Sequence, residues 1–123
     1  MPKFSIKDRL LSFKNAFDGL KVLLKAEHSA WIQVGLALVA TALGFYFEIS
    51  SSEWIIIVLC IGMVISAEIF NTAIEYIADF IQPNLDERIK HIKDLGAAGV
   101  FMTALATLIA GLIIFLPKIM ALF

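Results

Sequence analysis

Residues 54–80 read WIIIVLCIGMVISAEIFNTAIEYIADF. As far as Ala67 the stretch is uncharged and suits the interior of a bilayer; beyond it come Glu68, Asn71, Glu75 and Asp79. At about 100° per residue these four polar positions fall on one stripe, roughly 80° wide, of a single helix. A charge at the bilayer centre costs about 2.5–3.5 kcal/mol even on insertion scales. A stripe of acids therefore requires a cation, a basic partner, protonation or a water-filled cleft. Glu68 and Glu75 are about 10 Å apart along the axis, at about 1.5 Å per residue, too far to share one small cation easily. Two tasks at two depths fit that spacing better.

The rest of the chain has the same character. Its 123 residues are 60% hydrophobic, above the roughly 45–50% of soluble domains, and the mean hydropathy is +0.89. Residues 30–47 and 95–116 add two uncharged runs of 18 and 22 positions, each long enough to cross a bilayer. Three spans, 30–47, 54–80 and 95–116, are expected. The short ISSSEW turn (49–54) makes the first two antiparallel, with Ser51 or Ser52 as the expected helix cap. Pro83 and Asn84 break the pattern, and the polar segment 82–94 reads as the loop before the last span.

The first 28 residues differ. Leu10, Phe13, Phe17, Leu20 and Leu24 repeat at helical spacing, and Lys7, Lys14, Lys21 and Lys25 lie largely off that seam. A basic amphipathic helix on the membrane surface is expected. The N-terminus lacks an early apolar core and a small-residue cleavage site, so no signal peptide is expected. Six Lys and Arg precede the first span and three lie in 82–94, whereas the 48–53 turn has none and the C-terminus only Lys118. The excess places the N-terminus in the cytoplasm and the C-terminus outside.

Net charge is −1, which gives no footprint for nucleic acid. Cys60 is the sole cysteine, so neither an intrachain disulfide nor a cysteine metal cluster is available. His28 and His91 receive no role. Lys93 and Asp94 sit where the last span is expected to open, beside Gly96, Ala97, Ala98 and Gly99. A helix N-terminus with a lysine suits phosphate. Glu27 is a lone acid at the edge of the basic segment. Acids that hold Mg²⁺, and a lysine that steadies phosphates, are the parts of phosphoryl transfer. Glu68, set deeper, could take the proton of a hydroxyl arriving from the bilayer. No GxxxxGK[ST] loop is present, so a nucleotide site would be of another kind.

Three segments resemble the small prokaryotic lipid kinases of the diacylglycerol kinase and undecaprenol kinase family: FKNAFDGLKVLLKAE (13–27), AEIFNTAIEYIAD (67–79) and KDLGAAGV (93–100). The second carries the specific signature. The resemblance implies an all-α integral membrane fold, a surface helix plus three transmembrane helices forming one domain over 1–123. It further implies a homotrimer in the bacterial inner membrane that moves the γ-phosphate of ATP, with Mg²⁺, to a lipid alcohol, diacylglycerol or undecaprenol. By motif, Glu68 is the implied catalytic base, Glu27 and Glu75 hold metal and ATP, and Asn71, Lys93 and Asp94 complete the nucleotide site. These groups would meet across subunit boundaries, with no other obligate protein partner. After Glu27, undecaprenol-type members show a pattern like E-x-N-x-R-I-H, where this chain has Ser29, Trp31 and Gln33. Trp31 is then either an interfacial anchor or a lipid contact. Two other readings use the same acids: an ion- or proton-translocating subunit, and a non-catalytic membrane scaffold.

Overall fold

A computed structural model describes residues 3–123 as four helices. They are α1 (Ile6–Ala26), α2 (His28–Tyr46), α3 (Ser51–Ile81) and α4 (Glu87–Met120). The last three are long and apolar enough to cross a membrane, and their outer faces expose residues such as Leu38, Val58, Phe70 and Phe101. Residues 1–2 of the expected surface segment lie outside the described residues.

Ser5 caps α1 by accepting from the Asp8 N–H. The helix stops at Glu27, whose backbone is extended (φ −124°, ψ 116°), and α2 starts one residue later. Trp31 closes this corner. Its indole N–H donates to the Leu24 carbonyl at 2.7 Å, one of the carbonyls a helix end leaves without an intrahelical partner. Only the C-terminal end of α1 is anchored: Leu23 is buried, whereas Leu10, Phe13 and Phe17 stay exposed.

The α2–α3 connection is a Schellman turn. Ile49 N–H reaches the Gly44 carbonyl and Glu48 N–H the Phe45 carbonyl, with Glu48 in the left-handed region at φ 49°. Buried Ile49 joins Ile57, Ile114 and Phe115 in the apolar core at this end of the bundle. The cap of α3 is Ser50, not the expected Ser51 or Ser52. Ser50 accepts from Glu53 N–H while the Glu53 carboxylate accepts from Ser50 N–H, a reciprocal box. Glu53 also pairs with Lys118 of α4 at 2.7 Å.

The expected loop 82–94 is mostly helix. Only Gln82–Asp86 separate α3 from α4. Asp86 caps α4 through Arg88 N–H at 2.8 Å, and the charged residues after it favour helix once Pro83 and Asn84 are passed. Lys93 and Asp94 consequently lie in the second turn of α4, where each backbone N–H is already spent within the helix. The expected anion site at a helix N-terminus beside Gly96 does not exist there. α3 and α4 form the most extensive helix contact.

Candidate functional site

The α1–α2 corner, the second half of α3 and the first half of α4 meet at the end of the bundle remote from the Ile57–Phe115 core. Depth along α3 follows from length. A hydrocarbon layer of about 30 Å takes about 20 helical residues. Counted from Trp54, these run out close to Ile74. On that count Glu68 falls inside the window of about 20 residues, Glu75 at its edge and Asp79 beyond it. Burial follows the same order: Glu68 is 2% exposed and Asn71 8%, Glu75 is half-buried and Asp79 is exposed.

Glu68 has one side-chain partner among the described residues, the Ser29 hydroxyl, which donates to Oε2 at 3.2 Å. Its Oε1 is buried without a partner. One turn on, Asn71 Nδ2 donates to Glu75 Oε1 at 3.3 Å, and its buried Oδ1 is also unpartnered. That oxygen lies against Gly96 of α4, so closely that a β-carbon there would collide with it. Gly96 thus serves close packing of α4 on α3, whereas Ala97, Ala98 and Gly99 stay exposed.

Glu27 reaches the same face from the helix break. Its Oε1 lies 3.4 Å from Thr72 Oγ1, and its carboxyl lies beside that of Glu75. The Thr72 hydroxyl also lies 2.9 Å from the Glu68 carbonyl. Thr72 was not a candidate from sequence; its place between Asn71 and Glu75 in the NTAIE run was the available signal.

Lys93 forms an ion pair with Asp79 across the α3–α4 contact. Asp79 is thereby the residue that holds Lys93 on the α3 side. Asp94 is outside the cluster: it is exposed and paired with Lys90 at 2.6 Å, one turn back on its own helix. Trp31 is half-exposed, with its N–H committed to the corner.

The oxygen-only donor set is chemically suited to a hard cation. Two carboxyl groups in contact repel unless a proton or cation lies between them. Mg²⁺ typically takes one or two carboxylates and completes its shell with water and substrate phosphates. Glu27 and Glu75 fit that requirement. No cluster of three or more such ligands occurs among the described residues, so the remaining positions would fall to those non-protein donors.

The family model described as prokaryotic diacylglycerol kinase matches residues 14–115. The chain is 37% identical over 108 residues to a protein of Bacillus subtilis (strain 168) named undecaprenol kinase, covering 88% of each chain. It is 27% identical over 116 residues to a protein of Synechocystis sp. (strain ATCC 27184 / PCC 6803 / Kazusa) named diacylglycerol kinase, covering 92% of this chain and 65% of that one. The chain belongs to the prokaryotic diacylglycerol kinase family, a family of lipid kinases.

Proposed function

We propose that this protein transfers the γ-phosphate of ATP to the hydroxyl of a membrane lipid, with Glu68 as general base. The observation that carries the reading is the buried Glu68 carboxyl, whose Oε1 is unpartnered in an apolar span, one and two helical turns from Asn71 and Glu75. A lipid alcohol is the class of substrate that reaches a base at that depth. Its hydroxyl oxygen would bond to the γ-phosphorus as the bond from that phosphorus to the β-bridging oxygen breaks. The electron pair leaves with ADP, and the hydroxyl proton passes to Glu68 Oε1. Proton removal by a placed base contributes about 10²–10⁴-fold.

Glu27 and Glu75 would hold Mg²⁺ with the nucleotide phosphates. The ion supplies charge neutralisation for the transferring group. Asn71 orients Glu75, and Lys93, steadied by Asp79, adds positive charge at the cytoplasmic edge. Asp94, turned outward on α4, would contact nucleotide only from a neighbouring copy, in keeping with a homotrimer whose sites form between subunits. The Glu53–Lys118 pair neutralises the one lysine at the far end of the bundle. Lys and Arg are concentrated at the site end, six before the first span and three in 82–94 against Lys118 alone at the far end, which supports a cytoplasmic N-terminus and an outer C-terminus in the bacterial inner membrane.

The identity of 37% to the relative named undecaprenol kinase, against 27% to the one named diacylglycerol kinase, supports undecaprenol as the first substrate to test. Purified protein in proteoliposomes would be given γ-labelled ATP, Mg²⁺ and either undecaprenol or diacylglycerol. Labelled lipid that falls at least about 100-fold in Glu68→Gln is the expected result. Absence of label in every lipid extract would defeat the reading. Ion flux without ATP would instead favour a translocating subunit.

A further inference from the structure

We infer that Ser29 is the positioning residue for Glu68: its hydroxyl holds Oε2 and leaves Oε1 as the single atom free to receive a proton. The catalytic part of this inference rests on the kinase reading; the contact itself does not.

A glutamate side chain has three rotatable bonds, and an unanchored carboxyl would present either oxygen in many orientations. At Glu68 the surroundings supply little restraint of a polar kind. The group is 2% exposed, and the Ser29 hydroxyl is its only side-chain partner among the described residues. The Thr72 hydroxyl meets the Glu68 backbone carbonyl and not the carboxyl. The choice of which carboxyl oxygen stays free is therefore made by Ser29.

Position 29 is suited to this work. It is the second residue of α2, a helix whose start carries no side-chain cap. Unpaired N–H groups and the positive dipole end there favour a nearby anion. Ser29 is itself exposed on its other side, so it stands at the rim between the Glu68 carboxyl and the exterior of the bundle. Ser29 is also where the chain departs from the Asn of the undecaprenol-type pattern. An amide could donate to the same carboxyl, but from a longer side chain. The shorter serine places the donor nearer the α2 backbone.

The test compares Ser29→Ala and Ser29→Thr with the full-length wild type, in the same lipid and with helicity checked. In the transfer assay, Ser29→Ala should lose about 10- to 100-fold in kcat, the size expected for one hydrogen bond to a charged group. Its KM for ATP and for lipid should stay within about twofold, since neither ligand loses a contact. Ser29→Thr, which restores the hydroxyl, should recover most of the lost turnover. A second readout needs no turnover. The infrared carboxyl or carboxylate band that disappears in Glu68→Gln should shift in Ser29→Ala and return toward its original frequency in Ser29→Thr. An unmoved band overturns the contact, and unchanged kcat in Ser29→Ala overturns the positioning role whatever the band does. If the wild type labels no lipid, the kinase reading fails on its own, and the band alone decides whether Ser29 holds Glu68.

Discussion

Gly96 of α4 lies flush against the side-chain oxygen of Asn71 on α3, with no room for a β-carbon between them. The two halves of the site are held at this spacing by the absence of a side chain. Gly96→Ala should push Asn71 off Glu75 or force the helices apart, a strain of about 1–3 kcal/mol. Gly99, with open space around its β-position, is the control; Gly99→Ala should be neutral or slightly stabilising, since alanine favours helix. Unfolding in mixed micelles, run beside the transfer assay, distinguishes the two. Equal behaviour of both variants would refute the packing account.

The Glu27–Glu75 pair should set the metal requirement. Glu27→Gln and Glu75→Gln are each expected to raise the Mg²⁺ concentration for half-maximal transfer by about tenfold or more, matching loss of one charge-assisted contact of about 1.5–3 kcal/mol. Glu68→Gln should lower the rate without moving that midpoint. A metal titration at fixed ATP reads both effects. A midpoint shift in Glu68→Gln alone would reverse the assignment.

Trp31 should act on the geometry of the corner. Trp31→Phe keeps an aromatic ring but removes the N–H that reaches the Leu24 carbonyl. About 0.5–1.5 kcal/mol of local stability is expected to go with it. Spin labels on the exposed face of α1 should then report greater motion relative to α2, with a smaller effect from Trp31→Phe on labels near Ile57. Unaltered α1 motion would make Trp31 an interfacial anchor only.

Glu48 occupies a left-handed backbone position that glycine adopts without strain. Glu48→Gly should stabilise the protein by about 1 kcal/mol, with transfer activity unchanged because the turn is at the opposite end from the site. Destabilisation would show that the glutamate side chain contributes there.

Asp86 should give the fold an acid-sensitive component. The Arg88 guanidinium, followed by backbone N–H groups at the start of α4, holds its carboxyl below the usual aspartate range. A depressed folded-state value means that the contribution is full above the unfolded-state value and is lost as pH falls toward the folded one. The unfolding midpoint should accordingly drop with acid below the ordinary aspartate range, and the drop should be shallower in Asp86→Asn, which keeps a cap acceptor without the charge. Identical slopes would remove Asp86 as the cause.

The sequence by itself determined the helical character, the three lipid-compatible lengths and the polar stripe of α3, because each is a local property. Hydrophobic run length and a period of about 3.6 residues need no partner to be read. The polarity of 82–94, by contrast, concealed a helix, since Glu, Arg and Lys are equally at home in a solvated helix and a loop. The cap fell one residue from its expected place because three consecutive serines offer the same chemistry. Only the tertiary structure decided who meets whom: Ser29 on Glu68, Glu27 on Glu75, Lys93 on Asp79, and Asp94 facing away. These pairs depend on how closely α4 approaches α3 and on the one-residue break at Glu27, which hydropathy does not encode. The stripe announced that something must compensate its acids; the packing of four helices chose the partners.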